Sequence, residues 1–251
     1  MDYTYLCRYY DYCNWFYNIL LDEEEVKTLE YLIRLFEENR CTENGIPMQK
    51  YMKNKFPFLG IKSPERREIM RIFYEESGIL KRSFQKDFVL TLWEKEEREY
   101  QNAALDYIEK SMKKLGKKEL PLMEELITTK SWWDTVDMLA QKPVGKIARD
   151  FPEVIPETIE RWAYGDDLWL RRSSILFQLK YKEVTDEKLL YRYILKNAAS
   201  KDFFIQKAIG WALREYSKTN PASVKQFIAN HELPKLSIRE GSKYLIKMEQ
   251  K

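Results

Sequence analysis

An acid, two indoles and a guanidinium fall into register along this chain: Asp137, Trp133, Trp211 and Arg172. Trp133 and Asp137 are four residues apart, so on a helix they share a face. Arg172 follows Asp137 by 35 residues, Lys207 follows Arg172 by 35 more, and Trp211 lies four beyond Lys207. A carboxylate without a partner acid stabilises developing positive charge. Indole faces pack on a sugar or attract a cation. Lysines and arginines along a groove bind phosphates. Cleaving the N-glycosidic bond of a nucleotide develops such charge, on the sugar, as an oxocarbenium-like ion. Glycoside hydrolysis of the usual kind needs a second carboxyl group to protonate the leaving group. A base that is already cationic leaves as a neutral species and needs no acid, and N3- and N7-alkylated purines are bases of that type. The bland alternative stands beside this one: tryptophans at helical spacing are usually core, and Asp137 could serve only to pair with Arg172.

What places these residues together is a repeat. Arg67, Asn102, Asp137, Arg172 and Lys207 are polar and each 35 residues after the last. Three residues later in the first four cases come Met70, Leu105, Ala140 and Ile175, which are apolar and read as buried. A period in the mid-thirties with two helices per unit is the mark of a solenoid. Such a stack curves, and its concave face is lined by the second helix of each pair. The spacing predicts helices over 25–39, 48–56, 63–74, 84–96 and 97–114. It predicts others over 121–128, 132–140, 152–163, 167–181, 186–197, 202–217, 221–230 and 237–248. Ser63-Pro64-Glu65 reads as a helix start with Ser63 as N-cap, and Asp167 and Asp202 read as further N-caps. No strand alternation or glycine-rich phosphate loop occurs.

Composition limits the alternatives. The chain has 251 residues, 44% hydrophobic and 33% charged, with only 8 Gly and 9 Pro, which suits long helices with short connections. Residues 1–112 carry 17 Lys+Arg against 21 Asp+Glu, and residues 113–251 carry 26 against 19. That asymmetry fits a nucleic-acid surface on the later repeats, or simply a solvated charged face. The cysteines are Cys7, Cys13 and Cys41, with no C-x-x-C pair, and His231 is the single histidine. A disulfide framework, a metal centre and a Ser-His-Asp triad are all disfavoured, and no cofactor is expected. The first residues lack the basic region of a signal peptide, and the aromatic stretch to Leu21 contains Arg8, Asp11 and Asn14. No membrane span and a cytoplasmic location, the cytosol or nucleoid of a bacterium, are therefore expected. Residues 1–24 read as an aromatic extension forming an extra helix, and 25–251 as a single domain. A solenoid buries its own core, so a monomer is expected.

Several long blocks resemble the AlkD-type DNA alkylation repair glycosylases, in order from about residue 25 to about 249. They are Lys130-Ser131-Trp132-Trp133-Asp134-Thr135-Val136-Asp137, Trp169-Leu170-Arg171-Arg172, Ile175 to Lys182, and Phe203 to Tyr216. Tyr51-Met52-Lys53-Asn54-Lys55-Phe56 with Gly60-Ile61 and Pro64-Glu65-Arg66-Arg67 adds another. The resemblance implies an all-α stack of HEAT-like repeats with a concave DNA-binding face. It implies excision of 3-methyladenine and 7-methylguanine from duplex DNA without metal or cofactor, and without drawing the base into a pocket. By resemblance Asp137 is the catalytic carboxylate, Trp133 and Trp211 flank the deoxyribose, Arg172 holds a phosphate, and Tyr51 touches the opposite strand. Arg67, Asn102 and Lys207 complete the DNA-binding row. Lys62 stands where the family pattern has a neutral polar residue, near the same strand. Two other readings compete: a non-catalytic DNA-binding HEAT-repeat protein, and a protein-binding scaffold, the commonest use of helical solenoids.

Overall fold

The computed structural model describes residues 23–250, and among them there is no strand. The fold is an α-solenoid of stacked antiparallel helix pairs. The extra helix expected in the aromatic segment lies outside the described residues, apart from Glu23 and Glu24, which open the first helix. The helices group into two compact units that divide between Lys114 and Leu115.

The first unit holds α1 (Glu23–Glu38), α2 (Thr42–Tyr51), α3 (Ser63–Ser77), α4 (Lys86–Glu94) and α5 (Arg98–Lys110). On α1, Leu29, Leu32 and Phe36 recur at helical spacing and are buried, each removing apolar surface worth about 1.5–3 kcal/mol from water. Phe36 stacks on Tyr100 with ring centroids 5.4 Å apart. Phe73 stacks on Phe88 at 5.8 Å, and Phe88 meets Tyr107 edge-on at 5.2 Å. The helix expected over 48–56 is instead α2, some six residues earlier. Gly45 and Pro47 lie inside it, where a sequence reading takes them for breakers. A Cβ at Gly45 would come within 3.1 Å of the Phe58 carbonyl oxygen, a tight approach to which the backbone at Phe58 would have to yield. Pro47, the sixth residue of the helix, has no N–H to donate to the Glu43 carbonyl and so removes one hydrogen bond from it. The strap that follows, Pro57 to Ile61, hangs on the start of α5. Glu99, fully buried, accepts from the backbone N–H groups of Leu59 at 3.0 Å, Gly60 at 2.9 Å and Ile61 at 3.1 Å. The neighbouring Arg98 lies over the Phe56 ring at 3.9 Å.

The second unit holds α6 (Leu120–Thr128), α7 (Trp133–Leu139), α8 (Gly145–Asp150), α9 (Glu160–Tyr164) and α10 (Leu168–Leu176). It continues with α11 (Glu187–Asn197), α12 (Phe203–Tyr216), α13 (Pro221–Asn230), α14 (Lys235–Gly241) and α15 (Lys243–Glu249). Its core gathers Ala140, Ile175, Leu176, Leu190, Ile194, Ile205, Ala208 and Leu213. Two differences from expectation have local causes. The helix expected to stop at Ala140 runs on to Asp150, because a π-helical turn over Ala140–Val144 takes up Pro143 without ending the coil. The single helix expected over 237–248 breaks at Ser242 into α14 and α15.

The repeat is sharper in the structure than in the sequence. Helices α3, α5, α7, α10 and α12 begin at Ser63, Arg98, Trp133, Leu168 and Phe203, 35 residues apart each time. Met70, Leu105, Ala140 and Ile175, the apolar column, are all buried as expected. Ser63 is the first helical residue rather than the N-cap, which is Lys62.

Candidate active site

The tandem tryptophans divide their work. Trp132 is the N-cap residue of α7, in extended conformation, so its side chain and that of Trp133 leave the backbone in different directions. Trp132 packs edge-on against Trp169 with centroids 5.9 Å apart and against Phe204 at 5.1 Å, and Trp169 and Phe204 are 4.9 Å apart. This cluster joins the starts of α7, α10 and α12. Ser131 fixes the entry to α7 by donating from Oγ to the Ile127 carbonyl at 2.6 Å. Trp133 is half-buried and opens α7, and Asp137 lies one turn further on the same face.

Asp137 and Arg172 meet as a bidentate pair. Arg172 Nε donates to Oδ1 at 2.7 Å and Nη2 to Oδ2 at 2.9 Å. Arg172 Nη1 donates to the carbonyl oxygen of Phe204 in the first turn of α12. One side chain on α10 thus ties α7 to α12, across the same three helices that the aromatic cluster joins. The pair is nearly dry, with side chains 13% exposed for Asp137 and 5% for Arg172. Burial pushes the Asp137 carboxyl above the ordinary aspartate value, and Asp134 adds to that push, while the Arg172 guanidinium pulls it back down. An unpaired guanidinium at this depth would cost several kcal/mol, so the pair is ionic as it stands. Three of the five guanidinium N–H groups are engaged, which leaves one on each Nη for a further oxygen.

The structure brings Asp137 and Arg172 into contact, and puts Trp133 on the helix of the first. Trp211 is half-buried on α12 and packs against the core cluster that includes Ala140 and Ile175. Lys207, one turn before Trp211, forms an ion pair with Glu240 at 3.2 Å. The remaining candidates belong to the first unit. Tyr51 ends α2 and is 68% exposed, and Lys62 and Arg67 are exposed at the start of α3. Arg67 lines an open groove of about 760 Å³ between α3 and α5, with Met70, Tyr74, Asp106 and Lys110 among its walls. Asn102 is half-buried on α5, one turn before Asp106. Among the described residues, no group of three His, Cys, Asp or Glu side chains could hold a metal ion, and no helix is long and apolar enough to cross a membrane.

Sequence reasoning did not anticipate the Phe204 carbonyl, which no side-chain pattern reports. Nor did it anticipate Arg214, Glu240 and Lys243, which join Lys207. Arg214 had a signal, since it stands seven residues after Lys207 on one helix. Glu240 had none, being 33 residues downstream on a short helix.

A family model described as DNA alkylation repair enzyme matches residues 32–245. A solved structure described as a predicted DNA alkylation repair enzyme from Enterococcus faecalis is 34% identical, with TM-score 0.75, over 82% of this chain and 96% of that one. The crystal structure of smu.31 from Streptococcus mutans UA159 shares the fold at 16% identity and TM-score 0.53, over 86% of this chain and 98% of that one. No protein of curated function matches. The chain belongs to the DNA alkylation repair enzyme family, and its role is in DNA repair.

Proposed function

We propose that the chain is an AlkD-type DNA N-glycosylase that releases N3- and N7-alkylated purines, 3-methyladenine and 7-methylguanine among them, from duplex DNA. The observation that carries this reading is the nearly dry Asp137 carboxylate, held by Arg172 on the helix face that also bears Trp133. In the reaction the bond from C1′ to the base nitrogen breaks, and its electron pair neutralises the cationic ring, so the base leaves without an acid. Asp137 stabilises the cation left on the sugar and orients a water. The water oxygen adds to C1′, and its proton passes to the carboxylate and then to solvent. Trp133 and Trp211 flank the deoxyribose and keep bulk water off the cation.

The two further N–H groups of Arg172 are offered to a backbone phosphate beside the lesion. Lys207 extends that contact on α12. Tyr51, Lys62, Arg67 and Asn102 are assigned to the DNA, Tyr51 and Lys62 to the strand opposite the lesion. Lys62 places positive charge at the start of α3, where the helix dipole disfavours it and a phosphate would offset it. The target base stays in the stack, in contrast to the extrusion used by most glycosylases.

One observation favours a second reading. Both Asp137 oxygens already face Arg172, as they would in a purely structural ion pair of a DNA-binding repeat protein without catalysis. Duplex DNA carrying a single 7-methylguanine separates the two. Release of the free base by the wild-type protein, lost in Asp137→Asn with DNA binding intact, establishes the glycosylase. Binding without release establishes the binder.

A further inference from the structure

The end of α12 with α14 and α15 builds a charge cluster that the chemistry at Asp137 does not use. Glu240, on α14, has a side chain only 8% exposed. Its Oε1 is 3.2 Å from Lys207 Nζ, and its Oε2 accepts from Lys243 Nζ at 2.7 Å and Arg214 Nη1 at 3.1 Å. The three cations are far more open, at 38% for Lys207, 32% for Arg214 and 52% for Lys243. The negative charge lies inside and the positive charges outside, with two cations in excess. A buried carboxylate is satisfied by one bidentate guanidinium, as Asp137 is, so three cations exceed what an internal ion pair calls for.

The cluster is fixed in place. Gly210 lets α14 approach α12, since a Cβ there would meet the Glu240 Cβ at 2.5 Å and the Ser237 carbonyl oxygen at 3.0 Å. Ser237 Oγ donates to the Gln206 carbonyl at 2.8 Å and locks the crossing. Ion pairing with Lys243 and Lys207 holds the Glu240 carboxyl down to about 2, so it keeps its charge and its three partners at physiological pH.

Its position points to its occupant. Lys207, Trp211 and Arg214 recur at helical spacing and form one stripe of α12, about 10 Å from first to last. Successive phosphates of one strand rise about 3.4 Å along the duplex axis and lie further apart through space, so a stripe of this length reaches more than one phosphate. The same helix, at its first turn, holds Arg172 through the Phe204 carbonyl. The stripe therefore runs on from the reactive pair.

We propose that Lys207, Arg214 and Lys243, gathered on the buried Glu240, form a clamp for the phosphate backbone of duplex DNA beyond the reactive pair. Arg214 and Lys243 contact the phosphates directly, and Glu240 is a positioning residue that sets the spacing of the cations. The proposal rests on the reading that the protein binds duplex DNA.

The test uses undamaged duplex, with affinity measured between about 50 and 200 mM salt. Each phosphate contact adds about one unit to the slope of log affinity against log salt. Arg214→Gln with Lys243→Gln lowers that slope by about two, in a variant that remains folded through the binding assay. Lys225→Gln, which removes a lysine paired to Glu249 elsewhere on the surface, leaves the slope as it was. Should the double variant melt early, Lys243→Gln alone lowers the slope by about one, since its side chain is half exposed. An unchanged slope in a folded variant overturns the clamp. Base release from alkylated duplex is followed separately. A lowered slope in a protein that releases no base keeps the clamp and removes the glycosylase. Release with an unchanged slope does the reverse.

Discussion

Each of the two units buries a carboxylate near the start of a ladder helix, and the two are held differently. Glu99, at the start of α5, is fully buried and accepts from three consecutive backbone N–H groups. Asp137, on α7, is held by one side chain, Arg172. Burial raises both carboxyls above their ordinary values. The difference is in what can be exchanged. Backbone donors at Leu59, Gly60 and Ile61 cannot turn away without unmaking the strap they belong to. A guanidinium can rotate about its side-chain bonds, trade one acceptor for a phosphate oxygen, and free a carboxylate oxygen for a sugar cation. Glu99 is thus suited to hold a fold, and Asp137 to meet a substrate.

Glu99→Ala breaks the comparison from the structural side and gives the largest effect. It orphans three buried N–H groups at about 1–3 kcal/mol each, for a loss of about 4 kcal/mol after partial relaxation. Urea unfolding measures this directly, and a loss below about 1 kcal/mol would show that water reaches the strap. Asp137→Asn breaks it from the chemical side. It keeps one acceptor oxygen for Arg172 but leaves the guanidinium charge uncompensated, so the variant is less stable by several kcal/mol, and base release from the folded protein falls by about 10²–10³. Single-turnover release at saturating DNA reads this, and a variant within threefold of wild type would remove Asp137 from the reaction.

The pH profile sharpens the same contrast. Only the ionised Asp137 stabilises a sugar cation, so release is lost as pH falls through its folded pKa. Burial sets that value above the ordinary 3.8 of aspartate. Arg172 is the principal influence lowering it, so in Arg172→Gln the residual activity is lost at a higher pH than in wild type. A profile that does not move, or moves down, would place the titrating group elsewhere. The corresponding change in the first unit, Glu99→Gln, leaves the profile where it was.

Much of this was legible in the sequence, for a physical reason. A solenoid repeats its geometry, so the same step returns Asp137, Arg172 and Lys207 to equivalent places on α7, α10 and α12. Asp167 and Asp202 betray two helix starts because a carboxylate must cap orphan N–H groups, and each does, with acceptor distances of 2.7–3.2 Å. Lys62, Glu97 and Trp132 occupy the same cap column without a capping side chain, so cap chemistry alone could not find those starts. Gly45, Pro47 and Pro143 are helix breakers by propensity, yet they lie inside helical segments here because tertiary packing overrides propensity, and no side-chain pattern marks α8. The Arg172–Asp137 pair was foreseeable as the plain use of an acid in a basic row. The Glu240 cluster was not, since it depends on α14 crossing α12 over Gly210.

Glu240 gives the smallest effect and the opposite sign to Asp137, which makes it a useful control on the pH argument. Its folded value lies at about 2, below the 4.5 of an ordinary glutamate. A depressed carboxyl contributes stability that is fully present above the unfolded value and is lost as pH falls through the folded one. The window is therefore about pH 4.5 down to about 2. Water around the partly exposed cations screens the cluster, so the contribution is about 1 kcal/mol rather than the larger figure that the shift alone implies. Glu240→Gln is accordingly less stable than wild type by about 1 kcal/mol at neutral pH, and the difference closes at the acid end of that window. Urea midpoints at several pH values measure it. A difference that persists unchanged at pH 2 would mean that Glu240 acts by packing beside Gly210 and not by gathering charge. The slope test on Arg214 and Lys243 would then have to stand without a positioning carboxylate behind it.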